Sequence, residues 1–173
     1  MSKFKPTKYY RSIFDVDFNL LKQEGIKLIA CDLDNTLVPH DVILPDQRLI
    51  DFFKEIKALG FEIVILSNNK EKRVQLFSDE LNIPYYYSAR KPLKRAFKRL
   101  LKDYHLSNQE MCLIGDQILT DVYGANGMHI MNILVEPLAK RDIFYTKINR
   151  FFEKRVIKSL AKKGLFKIGE YYE

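Results

Sequence analysis

Near the start of the chain, an apolar run is followed by two aspartates in the segment Ile26-Lys27-Leu28-Ile29-Ala30-Cys31-Asp32-Leu33-Asp34-Asn35-Thr36. Residues 26–31 have the length and composition of a buried β-strand. A helix is predicted from Asp46 to Leu59, because apolar residues recur there at helical spacing and Gly60 marks an end. A strand followed by a helix is the unit from which parallel sheets are built, so this region predicts an α/β fold.

The same alternation continues to residue 134. Further strands are predicted at 61–66, 85–87, 111–114 and 129–134, and further helices at 70–81, 92–104 and 118–126. Pro92 is expected in the first turn of its helix. This order predicts a doubly wound parallel sheet with helices on both faces and right-handed crossovers. Ligands bind such sheets beyond the carboxyl ends of the strands, so the polar residues that follow each strand are the candidates for a functional site.

The length of 173 residues suits one domain, and we expect a single domain over residues 1–173. Its core is predicted at 26–134, after a packed lead-in over 1–25 and before a basic helical extension over 138–173. No apolar run approaches the ~20 residues of a membrane-spanning helix, and the N-terminus does not read as a secretory signal. Two scattered cysteines form neither a disulfide framework nor a zinc site. These features predict a cytoplasmic protein.

Four successive strand ends carry groups suited to phosphate chemistry. In chain order they are Asp32 with Asp34, Ser67 with Asn68, Lys91, and Asp116 with Asp121. Because the carboxyl ends of parallel strands share one edge, these side chains should converge. Clustered carboxylates repel one another unless a cation holds them, and hard oxygen ligands suit Mg²⁺. A carboxylate can also attack phosphorus to give an aspartyl-phosphate, while lysine and hydroxyl donors neutralise the phosphoryl group.

A family resemblance accompanies this chemistry. The segment 32–36 resembles the DxDxT signature of haloacid dehalogenase (HAD) superfamily phosphatases, and Ser67, Lys91 and Asp116 with Asp121 lie where that superfamily has its second, third and fourth motifs. The resemblance covers residues 26–134 and implies a HAD-like fold. Within subfamily III, the motifs are similar to those of the YqeG family, which is related to mitochondrial phosphatidylglycerophosphate phosphatases. The resemblance therefore implies a magnesium-dependent phosphomonoester hydrolase that acts through an aspartyl-phosphate.

The resemblance also implies roles for the residues around the transferred phosphate. Asp32 is the implied nucleophile and a metal ligand. Asp34 is implied to protonate the leaving alkoxide and then to activate water, while its backbone carbonyl ligates the metal. Ser67 and the backbone N–H of Asn68 are implied to bind phosphoryl oxygens, and Lys91 to neutralise the phosphate and the nucleophile.

The fourth motif completes the implied metal site. Asp116 is implied to ligate Mg²⁺, and Asp121 to hold the metal or its waters. Some members of the superfamily carry a second acid directly after the first, whereas this chain has Gln117 there. The sequence therefore leaves the role of Asp121 open.

Two alternative site types fit the acids less well. A calcium-binding EF-hand that began at Asp32 would need Gly at its sixth position and Glu at its twelfth, where this chain has Leu37 and Ile43. A phospho-receiver domain carries its acceptor aspartate after the third strand, but the third predicted strand here offers only tyrosines. A third alternative, that Asp32 merely caps local structure, does not explain the joint register of the motifs.

The net charge of +7 is concentrated at the C-terminus, since residues 138–173 contain ten Lys/Arg and four Asp/Glu. Further basic residues cluster beside the third motif, at Arg90, Lys94, Arg95, Lys98, Arg99 and Lys102. Such faces suit an anionic partner, with an anionic membrane surface preferred over nucleic acid. The alternative is that the apolar residues of the extension pack on the core and its charges only keep it solvated. The oligomeric state is left open.

The spacing of the motifs bears on the substrate. Only nine residues separate Thr36 from Asp46, and the interval from Asn69 to Lys91 has room for one helix and one short strand. We therefore expect no cap domain, or a minimal one, and an open site. An open site suits a phosphate displayed on something large, which favours phosphatidylglycerophosphate. The alternatives are a soluble phosphatase for sugar phosphates, nucleotides or phosphoprotein, and a phosphate-binding scaffold without activity.

Overall fold

The structure of the protein, a computed structural model, describes residues 3–139 and 144–173, with the side chains of 144–150 left out. Across these residues six parallel strands form one sheet in the order β1-β6-β5-β2-β3-β4. The strands are β1 (Lys8–Tyr10), β2 (Leu28–Cys31), β3 (Glu62–Leu66), β4 (Tyr85–Tyr86), β5 (Met111–Gly115) and β6 (Met131–Val135). The predicted doubly wound α/β fold is confirmed. The single domain over 1–173 stays a prediction.

Helices cover both faces of the sheet. They are α1 (Phe18–Gln23), α2 (Gln47–Ala58), α3 (Glu71–Leu81), α4 (Lys94–Asp103), α5 (Tyr123–Asn126) and α6 (Phe144–Lys162). The sequence sets their ends locally: the carboxylate of Asp46 accepts the N–H of Leu49 at 2.8 Å and caps α2. Asn82 ends α3 in the left-handed conformation, with φ of 49°.

The central strand β2 supplies a core to each face, because side chains alternate along a strand. Ile29 and Cys31 point into the cluster formed with α1, α2 and α3. Leu28 and Ala30 point into the cluster formed with α4 and α5. All four are fully buried, so the end of β2 is fixed from both sides. That rigidity positions Asp32, which directly follows the strand.

The structure corrects one local expectation, the place of Pro92, and adds detail to two others. The lead-in contains the edge strand β1, which pairs with β6 in parallel register; three residues at an edge are too few for a periodic signal. Pro92 lies before its helix rather than in the first turn, because residues 90–93 form a turn closed by the Leu93 N–H on the carbonyl of Arg90 at 2.9 Å. The last predicted helix begins as a π-helical turn over Ile118–Val122.

The C-terminal extension packs on the sheet edge in part. Leu160 and Phe166 are buried against Tyr9 of β1, and Tyr172 exchanges two backbone hydrogen bonds with Tyr9, at 2.8 and 2.9 Å. Phe151 and Phe152 of α6 stay exposed. Lys140 and Arg141 of the predicted basic face lie outside the described residues, as do the side chains of Lys147 and Arg150. No described helix is both long and apolar enough to cross a bilayer.

The two places where a cap domain would be inserted are short. Residues 37–46 form a loop with a turn closed by the Val42 N–H on the carbonyl of Pro39 at 3.0 Å. Residues 69–91 contain only α3, β4 and their connections. In the part of the chain that the structure describes, neither insertion point carries a separate lid, so the carboxyl edge of β2 and β3 is left open.

Candidate active site

Asp32 lies at the carboxyl end of the central strand and is nearly buried, with 7% of its surface exposed. Its backbone N–H donates to the carbonyl of Ile114 at 2.8 Å and so extends the pairing of β2 with β5. One carboxylate oxygen, Oδ1, accepts the ammonium group of Lys91 at 2.7 Å. The other, Oδ2, accepts the hydroxyl of Thr36 at 3.3 Å. The carboxylate is therefore oriented from two sides.

Lys91 reaches this carboxylate from the loop after β4, two strands away in the sheet. Its backbone N–H donates to Oδ1 of Asn68 at 2.7 Å, and the amide of Asn68 donates back to its carbonyl at 3.0 Å. Its Nζ lies 2.7 Å from Oδ1 of both Asp32 and Asp121. Burial lowers the pKa of Lys91, but Asp121 and Asp32 outweigh that effect and raise the pKa, so the group stays cationic.

Three buried carboxylates form the centre of the site. Oxygens of Asp32, Asp116 and Asp121 all lie within 4.8 Å of one another. Thr36 links the first two, since its hydroxyl lies 3.3 Å from an oxygen of each. Burial raises the pKa of Asp32 to about 6, with the charge of Asp121 adding to the increase and Lys91 opposing it. Such a set of hard oxygen donors fits a divalent cation, which would offset this mutual repulsion.

The position of Asp121 depends on Gly115. A Cβ on Gly115 would lie 2.4 Å from Cγ of Asp121, far inside van der Waals contact. Glycine thus lets the π-helical turn lay Asp121 against the end of β5. Its second oxygen, Oδ2, accepts the backbone N–H of Gln117 at 3.1 Å. Oδ1 of Asp121 lies in the ion pair with Lys91.

The C-terminal extension contributes to this turn. Glu153 of α6 is buried, and its carboxylate accepts the N–H of Leu119 at 3.2 Å. This contact supports the π-helical turn that carries Asp121. The sequence offered no motif for it, because 34 residues separate the partners and only the fold brings them together.

Asp34 belongs to a second group, nearer the solvent. The amide of Asn69 donates to its Oδ2 at 3.0 Å, and Arg73 Nε and Nη2 lie 3.3 and 3.1 Å from its Oδ1. Nη1 of the same guanidinium donates to the carbonyl of Ile43 at 2.9 Å, which ties the loop 37–46 to Asp34. Arg73 was missed by sequence reasoning. Its signal was a basic residue in the first turn of the helix after the second motif.

Ser67 ends β3 beside these groups. Its hydroxyl oxygen accepts the backbone N–H of Asn69 at 3.1 Å, and its own N–H donates to the carbonyl of Tyr86 on β4. The structure thus brings Asp32, Lys91, Asp116 and Asp121 together in one buried cluster. It places Asp34 beside them with separate partners. Ser67 and Asn68 lie on the turn that joins the two groups.

The comparisons with known proteins agree with this geometry. Residues 88–137 match a family model described as HAD-hydrolase-like. The chain is 44% identical to "Probable phosphatase YqeG" of Bacillus subtilis (strain 168), over 93% of this chain and 94% of that protein. The chain belongs to the YqeG family of the HAD superfamily. The resemblance found in the motifs is thereby confirmed, and with it the class of enzyme: a HAD-type phosphatase, which is a phosphoric monoester hydrolase.

Other relatives of this YqeG-family chain are more distant. It is 25% identical to phosphatidylglycerophosphate phosphatase 1, chloroplastic/mitochondrial, of Arabidopsis thaliana, over 87% of this chain but only 46% of that protein. Among solved structures, the cobalt-bound deoxy-D-mannose-octulosonate 8-phosphate phosphatase of Haemophilus influenzae superposes with a TM-score of 0.51 at 14% identity, over 80% of this chain and 94% of that one. This likeness shows the fold. HAD phosphatases use a divalent metal, which the acidic cluster of this chain suits.

Proposed function

We propose that the protein hydrolyses phosphatidylglycerophosphate with the help of Mg²⁺, through an aspartyl-phosphate on Asp32. The observation that carries the chemistry is the buried cluster of Asp32, Asp116 and Asp121, with the ammonium of Lys91 paired to Asp32 and Asp121. The lipid substrate is supported by the similarity to the Arabidopsis enzyme and by the open edge above the cluster.

The reaction takes place in two steps. In the first, a carboxylate oxygen of Asp32 forms a bond to phosphorus as the bond from phosphorus to the ester oxygen breaks, and Asp34 gives its proton to that oxygen. In the second, water attacks phosphorus, Asp34 takes up a proton from the water, and the acyl-phosphate bond breaks. The products are the alcohol and inorganic phosphate, with both carboxyl groups restored.

The neighbours of Asp32 hold it ready for this attack. Lys91 and Thr36 fix its two oxygens, and Lys91 also meets the negative charge of the phosphoryl group. Ser67 and the backbone N–H of Asn68 bind phosphoryl oxygens from the adjacent strand end. Asn68 has a second role, since its side chain clamps the backbone of Lys91.

Asp32, Asp116 and the backbone carbonyl of Asp34 would hold the Mg²⁺, whose charge neutralises the carboxylates and the phosphate. Asp121 forms an ion pair with Lys91 through Oδ1, and its Oδ2 accepts the Gln117 N–H. We therefore assign to Asp121 the main role of orienting Lys91. Its second role is to add negative charge to the metal site.

The test is phosphate release from phosphatidylglycerophosphate in detergent mixed micelles, beside sugar phosphates, nucleotides and a phosphopeptide. We expect the lipid to be turned over with the highest kcat/KM, and a chelator to remove activity that Mg²⁺ restores. Preference for a soluble ester would replace the lipid with a soluble substrate and leave the phosphatase chemistry in place. Activity that survives complete removal of divalent metal would contradict the Mg²⁺ requirement.

A further inference from the structure

Exposed apolar side chains gather around the catalytic edge. The described residues include eleven large apolar side chains that are exposed, and six of them lie in loops that follow the strands at their carboxyl ends. We call these six the apolar rim: Val42, Ile43, Leu44, Tyr87, Leu93 and Leu138. Ile43 and Leu93 are each 60% exposed, so neither contributes much to the core.

Hydrogen bonds fix the three loops of the rim around Asp34. The carbonyl of Ile43 accepts from Arg73, whose guanidinium also binds Asp34. The N–H of Leu138 donates to the carbonyl of Asn35 at 3.0 Å, next to Asp34 in the chain. Two of the loops that carry the rim are therefore anchored beside the open site.

The third loop, which carries Tyr87 and Leu93, is anchored near Asp34 as well. The N–H of Ser88 donates to the carbonyl of Asn69 at 2.9 Å, and the amide of Asn69 donates to Asp34. All three loops that carry the rim are thus anchored beside the catalytic edge.

Basic side chains adjoin the rim on the α4 side. Arg90, Lys94, Arg95 and Lys98 are all exposed, whereas the opposite loop carries Asp41 beside the apolar triplet 42–44. Apolar side chains flanked by lysine and arginine match a bilayer with anionic headgroups, because the first enter the acyl boundary and the second meet the phosphates. This charge complementarity selects an anionic lipid surface over a neutral partner.

We propose that the apolar rim docks the protein on an anionic bilayer, with the catalytic edge facing the lipid. This inference rests on the proposed lipid substrate and gives the site its orientation: a phosphate at the headgroup level meets Asp32 without leaving the membrane. The rim, and not helix α6, supplies the apolar contact. Arg73 joins the docked loop to the acid/base residue Asp34.

The experiment is co-sedimentation with vesicles of phosphatidylglycerol and phosphatidylcholine, without substrate. The test variant combines Leu44→Ser and Leu93→Ser, at positions 48% and 60% exposed. The control combines Leu76→Ser and Ile168→Ser, at positions 43% and 57% exposed on α3 and in the C-terminal segment. We expect the rim variant to bind vesicles about tenfold to a hundredfold more weakly, and the control to bind within about twofold of the wild type.

Turnover of a small soluble phosphate ester shows that each variant is folded, and we expect it to stay unchanged in both. Equal loss of binding in the rim variant and the control would overturn the proposal, as would unchanged binding of the rim variant. A wild-type dimer in solution that the rim variant alone dissociates, with vesicle binding intact, would assign the rim to a second copy of the chain and overturn it as well.

The vesicle-binding experiment and the test of the proposed function can fail independently of each other. Hydrolysis of phosphatidylglycerophosphate in detergent micelles does not require docking on a bilayer. If micellar hydrolysis is seen but the rim variant binds vesicles normally, the docking inference fails and the substrate stands. If the lipid is not hydrolysed while the rim variant loses vesicle binding, the substrate fails and the docking surface stands.

Discussion

The site has a buried half, which contains Lys91 and Asp121, and an exposed half, which contains Arg73 and Asp34. The two halves differ in how far water reaches them. The side chains of Lys91 and Asp121 are 1% and 3% exposed, whereas those of Arg73 and Asp34 are 15% and 21% exposed. Burial keeps the electrostatic interactions of the first pair strong, while solvent screens the second pair. The proposed nucleophile Asp32 thus lies among fixed charges, and the proposed acid/base residue Asp34 lies where substrate and water would arrive. A catalytic group that must exchange protons benefits from that access.

The largest effect should come from the buried half. Asp32→Asn replaces a carboxylate oxygen of the proposed nucleophile, so we expect kcat on a soluble phosphate ester to fall by at least about a thousandfold. Because burial raises the pKa of Asp32, the neutral amide should not destabilise the metal-free fold at pH 8. Thermal melting and kcat measure the two. Asp51→Asn on the exposed side of α2 is the control, and turnover within tenfold of the wild type would rule out Asp32 as the nucleophile.

Gly115→Ala tests how closely the buried half is packed. The new Cβ would lie 2.4 Å from Cγ of Asp121, so Asp121 must move and Lys91 with it. We expect the free energy of unfolding to fall by about 1–3 kcal/mol and kcat to fall by about a hundredfold. Gly127→Ala is the matched control, since its nearest contact would be 3.3 Å. Normal kcat in the Gly115 variant would show that Asp121 need not be held against β5.

Arg73→Ala tests the exposed half. Asp34 would lose its guanidinium partner but keep Asn69, so we expect kcat to fall by about tenfold, a part of the ~100-fold or more that general acid–base catalysis supplies. Arg73→Lys should recover little, because an ammonium group cannot bind Asp34 and the Ile43 carbonyl with the same forked geometry. Lys72→Ala is the control on the neighbouring residue. A loss as large as that of Asp32→Asn would mean that the two halves do not differ as described.

The smallest effect concerns pH. Burial raises the pKa of Asp32 to about 6, and the protonated carboxyl cannot ligate a cation. We therefore expect Mg²⁺ affinity to be constant above pH 7 and to fall below pH 6, by about tenfold at pH 5, as protons compete for the carboxylate. Calorimetric titration of the free enzyme at pH 5 and 7.5 measures this, and Asp32→Asn should lose this pH-dependent step. Equal affinity at both values would place Asp32 outside the metal site.

Much of the fold was readable because its signals are local. The central strand, its closing acids and the helix capped by Asp46 follow from residues adjacent in sequence. The edge strand Lys8–Tyr10 was missed, because only its pairing with β6 makes it a strand. The π-helical turn at Ile118 was missed for a similar reason: its shape depends on the contact of Asp121 with Gly115 and on Glu153 from the C-terminal helix.

By itself the sequence determined the class of fold, the phosphatase family and the residues at the strand ends. Each of these depends on order and spacing along the chain, which parallel strands translate into one shared edge. Only the tertiary structure decided which side chains the site residues contact. Lys91 meets Asp32 and Asp121 from two strands away, and Arg73 joins Asp34 to the loop at Ile43. Such contacts depend on burial and on distances between segments far apart in sequence, which no local pattern records.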